Sequence, residues 1–167
     1  MATSFALMGV MDDRSASFVT ASFVTVGDPG YPERLDALQP QPAGIWIDGA
    51  LPRLPMLGIV GARAATRRAL DFAADLARAA VELGWAVVSG GAFGVDAAAH
   101  QATIAAEGLT IAVFGCGIDV TYPQRHRRLF DQIRRQGALV SSLPLGAPPR
   151  SWHFPAVTNA TPYITLK

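Results

Sequence analysis

Trp85-Ala86-Val87-Val88-Ser89-Gly90-Gly91 is a short apolar run that breaks on a serine and two glycines. Its apolar residues are consecutive, the pattern of a strand buried on both faces. Before it, Ala65–Leu83 carries Ala69, Phe72, Ala73, Leu76, Ala77 and Ala80 at helical spacing, and Gly84 stops that helix. After it, Val95–Ala106 is alanine-rich and helical and ends at Gly108. Further out the same unit returns. Met56-Leu57-Gly58-Ile59-Val60 ends at Gly61, Thr110–Phe114 ends at Gly115-Cys116-Gly117, and Ala138-Leu139-Val140 ends at Ser141-Ser142. Gln124–Gln136 is a third helix, burying Leu129, Phe130 and Ile133. Buried strands separated by helices are βαβ units. The expected fold is therefore α/β: an extended Rossmann-like, doubly wound, mainly parallel sheet with helices on both faces.

The flanks add less. Residues 1–17 read as a tail, and 18–167 as one domain. Within it, 18–50 is an N-terminal extension, 56–142 the βαβ core and 143–167 an irregular, proline-rich tail. Phe18–Val26 reads as a strand, Gly27-Asp28-Pro29-Gly30 as a turn and Gly44–Asp48 as another strand. Tyr31–Leu38 reads as a short helix with Pro32 in its first turn. With 167 residues, half of them hydrophobic and 16% charged, the chain can bury a real core and is not a disordered one.

One cysteine excludes a disulfide framework and a cysteine-based zinc cluster, and three histidines make a histidine-rich metal site improbable. No metal and no cofactor is expected. The start of the chain lacks the pattern of a signal peptide, and its apolar runs are half a bilayer span, so a cytoplasmic protein without a membrane segment is expected. The net charge is +1, but unevenly spread. Residues 1–121 hold seven Arg against twelve acids, and residues 122–167 hold six Arg and Lys167 against Asp131 alone. That asymmetry suggests a local anion-binding face.

Ligands of open parallel sheets bind beyond the carboxyl ends of the strands. Those ends carry Gly61-Ala62-Arg63, Ser89-Gly90-Gly91-Ala92-Phe93-Gly94 and Gly115-Cys116-Gly117. Glycines admit a phosphate close to the backbone, helix N-termini offer N–H groups, and a guanidinium grips phosphate with two donors. Equally, any βα turn needs glycine; three such loops in register with an Arg favour the phosphate site. The second and third glycines of the dinucleotide fingerprint are missing after Gly61, and no Gly-Lys-Ser/Thr exists for a P-loop.

Asp96 reads as the N-cap of its helix. His100, four residues on, reads as a structural hydrogen bond between helix and loop, with an acid–base pair as the sharper alternative. Cys116 reads as a packed side chain, since no base partners it. No Ser/His/Asp set and no paired carboxylates appear, so no catalytic residue is assigned. Arg125, Arg127, Arg128, Arg134 and Arg135 read as a solvated helix face or as a phosphate track. Arg150-Ser151-Trp152-His153-Phe154 sets aromatics beside a charge, as base-stacking residues or as plugs for the tail.

Taken together, these segments resemble the DNA-processing protein A (DprA/Smf) family. The resemblance is carried by Tyr31-Pro32-Glu33-Arg34-Leu35, Gly58–Arg63 with Thr66, Ser89–His100, Thr110–Asp119, Tyr122-Pro123, Ser141–Pro144 and Phe154-Pro155. It covers about Phe23 to Pro155, only the Rossmann-like domain, as in a minimal or diverged member. It implies a homodimeric, cofactor-free single-stranded DNA binder that acts in natural transformation and DNA recombination and loads a RecA-type recombinase. It places the DNA contacts at Arg63 and at Ser89-Gly90. Phe93 stands where the family usually has a basic residue, and no Arg-Asn-Arg follows Phe154-Pro155.

The candidate nucleic-acid and phosphate set is Gly61, Arg63, Thr66, Ser89, Gly90, Gly91, Phe93, Gly115, Gly117, Tyr122, Arg125, Arg127 and Arg128. Two rivals stand beside it: a nucleotide-binding or nucleotide-cleaving Rossmann enzyme related to the phosphoribohydrolases, and the same fold working through a protein partner.

Overall fold

The structure is a computed structural model that describes residues 20–153. The tail at residues 1–17, the start of the first predicted strand and Phe154-Pro155 lie outside the described residues.

Six strands form one sheet: β1 (Ser22–Thr25), β2 (Gly44–Gly49), β3 (Met56–Gly58), β4 (Ala86–Gly90), β5 (Thr110–Val113) and β6 (Gly137–Ser141), in the order β1-β2-β6-β5-β4-β3. The apolar runs become the parallel part. Met56 pairs with Ala86, Val87 with Thr110 and Ile111 with Ala138. β1 and β2 add antiparallel strands, with Ile47 opposite Val140. The sheet is thus mixed, and its parallel part is the core predicted from the sequence.

Three α-helices connect the parallel strands: α1 (Arg67–Glu82), α2 (Val95–Ala105) and α3 (Arg127–Gln136). Successive neighbours joined by right-handed crossovers put all three on one face. There Val87, Ala112 and Leu139 pack under Ala77, Ala99, Leu129 and Ile133. The opposite face, Val88, Ile111, Val113 and Val140, is covered by Tyr31 and Leu35 around a 3-10 helix at Glu33–Ala37. Helical structure thus lies on both faces, but unequally. The parallel strands run in one direction, β3 to β6, and the reversal of a doubly wound sheet is not among the described residues.

Local endings differ from expectation in three places. Pro32 is the N-cap of the 3-10 helix and lies just outside its first turn. The left-handed residue after α2 is Glu107 (φ 56°), just past the C-cap Ala106 and one residue before Gly108. The N-cap of α2 is Gly94, so Asp96 sits inside its first turn. Among α1 residues, Phe72 and Leu76 are exposed, and Ala73, Ala77 and Ala80 form the buried face.

Candidate functional site

The carboxyl ends of β3, β4 and β5 open into a cleft of 530 Å³. Its lining includes Val60, Gly61 and Arg63 after β3; Gly90 at the end of β4 with Gly91, Ala92 and Phe93 beyond it; and Val113 at the end of β5 with Phe114, Gly115 and Cys116 beyond it. Asp96, Tyr122, Pro123 and Ser151 complete it. That volume falls within the range of small-ligand sites.

The first two loops interlock. The Val95 N–H donates to the Ala62 carbonyl, and Gly94 has a φ of 80°. A Cβ at Gly94 would land on the Ala62 carbonyl oxygen, so only glycine fits there. Asp96 lies beneath this junction and is buried. One of its oxygens accepts from the Ala92 N–H at 3.3 Å, and the other is buried without a hydrogen-bond partner. Burial raises its pKa, and the Ala92 N–H and the charge of Arg63 oppose that rise. Two N–H groups that an anion would seek, those of Ala92 and Val95, are therefore already engaged.

Each of the three histidines holds a glycine carbonyl at a strand end. His100 is fully buried, and its Nε2–H donates to the Gly90 carbonyl at 2.8 Å. Its Nδ1 accepts the Thr110 hydroxyl at 2.7 Å, because burial keeps the ring neutral and lowers its pKa to about 4. His126 Nδ1–H donates to the Gly91 carbonyl at 3.1 Å and His153 Nδ1–H to the Gly115 carbonyl at 3.0 Å. Phe93 meets the edge of the His126 ring at 4.6 Å, which makes an aromatic wall on the α3 side. The sequence suggests a structural bond between helix and loop here; in the structure His100 ties α2 to Gly90 of β4 and Thr110 of β5. The roles of His126 and His153 had no local signal, since their partners are 35 and 38 residues away.

Of the predicted set, the cleft brings together Gly61, Arg63, Gly90, Gly91, Phe93, Gly115 and Tyr122. The others lie elsewhere. Thr66 caps α1, its hydroxyl accepting from the Ala69 N–H. Ser89 is fully buried and donates to the Ile59 carbonyl, tying β4 to β3 below the cleft floor. Gly117 is packed under the 144–147 turn and donates to the Ala147 carbonyl. Arg125, Arg127 and Arg128 are exposed at the start of α3, outside the lining.

Arg134 departs furthest from a solvated track: it pairs with the fully buried Asp48 of β2 and with Asp131. The Arg135 Nε–H donates to the Asp131 carbonyl. Trp152 is 65% exposed under the Arg150 guanidinium, which rules out a plug. Cys116 is buried, its thiol donates to the Val120 carbonyl, and burial pushes its pKa to about 11. Such a thiol is not a nucleophile at neutral pH. Among the described residues no group of three or more His, Cys, Asp or Glu could hold a metal ion.

A Rossmann-like sheet with a cleft at its strand ends, lined by glycines and Arg63, defines an α/β protein with its candidate site where open parallel sheets place one. The chain belongs to the DNA recombination-mediator protein A family, whose sequence profile matches residues 22–159. It is 37% identical to the Smf protein of Synechocystis over 140 residues, covering 80% of this chain and 35% of that protein. The solved DNA processing protein A of Streptococcus pneumoniae matches with a TM-score of 0.76 and 29% identity, over 89% of this chain and 53% of that one. That of Helicobacter pylori, a protein with a unique single-stranded DNA binding mode, matches with a TM-score of 0.77 and 24% identity, over 89% of this chain and 67% of that one. The chain spans about a third of the Synechocystis protein and half of the pneumococcal one. Among the described residues no helix is long and apolar enough to cross a membrane.

Proposed function

We propose that this chain binds single-stranded DNA in the strand-end cleft, as a DNA-processing protein of the cytoplasm. The observation that carries the reading is the presence of two chemistries in one cleft. Arg63 and the half-exposed rings of Phe93 and Tyr122 all line it. A charge for the phosphate and a ring face for the base are the two contacts by which proteins hold single strands without reading sequence. The glycine floor lets the backbone of the strand come close. Arg125, Arg127 and Arg128 form an outer basic approach to the same mouth.

The protein acts by binding. Its one thiol is buried and protonated, its central histidine is neutral and doubly bonded, and neither faces a reacting group. Family membership supports a role in DNA uptake and recombination, with a RecA-type recombinase as partner and a homodimer as the acting form.

Fluorescence-polarisation titration of labelled oligo-dT, with AMP and ATP as competitors, tests the reading. Saturable oligo-dT binding is expected, with log affinity falling by ~1.4–2.8 per decade of salt for two to four phosphate contacts. Tight AMP binding with release of free base, and no oligo-dT binding, would replace it with the nucleotide-cleaving rival.

A further inference from the structure

Two residues of the cleft lining carry a formal charge, Arg63 and Asp96, and the two cancel. They are placed differently. Arg63 is exposed, whereas Asp96 is buried in the first turn of α2. One Asp96 oxygen accepts from the Ala92 N–H at 3.3 Å; the other is shut off from water and has no hydrogen-bond partner. The Gly61 N–H, the Ser89 hydroxyl and the charge of Arg63 favour the ionised form, without a hydrogen bond to that second oxygen. A charge that no water screens acts across its surroundings at full strength. The cleft therefore already holds an anion of its own beneath the place where a phosphate would sit, and Arg63 is the cation set against it.

We propose that a phosphate entering the cleft draws a proton from solvent onto Asp96, so that strand binding at this site is proton-linked. The proposal rests on the single-strand reading above and adds to it how the site is regulated. Two effects act in one direction. The phosphate is a like charge, and it also takes up the field of Arg63 that otherwise favours the carboxylate. The carboxylate gains one proton and becomes a neutral carboxyl, the proton resting on the unpartnered oxygen. The bond from the Ala92 N–H stays in place on the other oxygen. Asp96 itself makes no contact with the strand; it acts through its charge.

The other titratable groups around the cleft do not stand in for it. His100, one turn on in α2, is neutral and held by Gly90 and Thr110. Cys116 is a buried thiol pushed up to about 11, and His126 holds the Gly91 carbonyl from the α3 side. Proton and strand help each other reciprocally, so the bound chain holds the Asp96 proton more tightly than the free one. Affinity is thus highest below the titration of Asp96 and falls as the pH rises through it. A like charge this near costs an anion about tenfold in affinity, which sets the size of the effect.

Carbon NMR of the Asp96 carboxyl in the full wild-type chain tests this without a variant. Its titration should move to higher pH when oligo-dT saturates the site, and an unmoved titration overturns the proposal. Asp96→Asn keeps the shape of the side chain and removes the titrating group. At a pH of about 7.5 it should bind oligo-dT about tenfold more tightly than the wild type, with the gap closing as the pH falls to about 5. Any share of His126 and His153 in the pH dependence is common to both chains and cancels in their ratio. A folded variant that binds no tighter than the wild type, with the same pH profile, overturns the proposal and leaves the single-strand reading intact. A wild type that binds no oligo-dT overturns both.

Discussion

α1 and α2 are neighbouring alanine-rich helices, each entered from a glycine-containing loop, yet their burial is inverted. α2 buries Asp96, His100 and Thr103, whereas α1 leaves Phe72 and Leu76 in solvent and buries only Ala73, Ala77 and Ala80. Two physical reasons separate them. α2 lies between α1 and α3, and its polar groups find partners inside: the Ala92 N–H for Asp96, Gly90 and Thr110 for His100, and the Ala99 carbonyl for Thr103. α1 lies at the end of the layer, and the residues it buries against its neighbours are the small Ala73, Ala77 and Ala80. Polarity predicts burial only until a partner waits inside, and size predicts burial only where the packing gap is wide.

That contrast can be broken at four points. The largest effect is expected at His100→Leu, which leaves the Gly90 carbonyl without its buried donor and removes the bond to Thr110. A loss of about 2–4 kcal/mol in urea unfolding is expected, and less than about 1 kcal/mol would mean that the tie contributes little.

The second is acid sensitivity. The folded pKa of His100 lies near 4, below its ordinary 6.5. The unfolded chain therefore binds the proton first, and stability present above 6.5 drains away as the pH falls toward 4. The expected loss is about 3 kcal/mol by pH 4, missing from His100→Leu. Asp96 works the other way: its raised pKa is a cost present above that value and relieved as the pH falls toward 3.8. An Asp96→Asn chain should therefore lose stability in acid more steeply than the wild type. Urea titrations at stepped pH read both slopes, and equal slopes for wild type and His100→Leu would remove the histidine from the account.

The third point concerns the mouths of the two helices. Arg63, at the entry to α1, should act on ligand, whereas Asp96, in the first turn of α2, acts on the fold. Arg63→Ala should weaken oligo-dT binding by roughly tenfold to a hundredfold, with Arg128→Ala costing much less because solvent and salt screen it. A drop of many degrees in melting temperature with unchanged affinity would place Arg63 in the scaffold beside Asp96.

The smallest effect is expected at Phe72→Ala, read by unfolding at a protein concentration dilute enough for monomer. A change within about 0.5 kcal/mol fits an exposed ring, and a cost above about 2 kcal/mol would mean that the chain itself covers it.

The strands were legible because short runs of consecutive apolar residues mark strands buried on both faces, and β3 to β6 fall where the runs predicted them. Strand order was not legible, and with it the side on which the helices lie, since order depends on pairing between distant segments. At the site, Gly61, Arg63, Gly90, Gly91 and Gly115 were readable from their place just beyond the strands. Ser89 had a signal that was missed. It is two residues after Val87 and so shares the helix-facing side of β4, beneath the cleft floor. Asp48 and Arg134 had none, for their pairing spans 86 residues.

The Gly94 junction has a consequence for how such a site can change over evolutionary time. With the Ala62 carbonyl occupying the space of a side chain, the loops after β3 and β4 behave as one mechanical part. A residue inserted in either loop must be answered in the other, so variants of the mouth are reached by paired changes. The α3 side meets them through side chains instead, His126 on the Gly91 carbonyl and Phe130 against Gly91, and it is the wall on which ligand preference can drift one residue at a time.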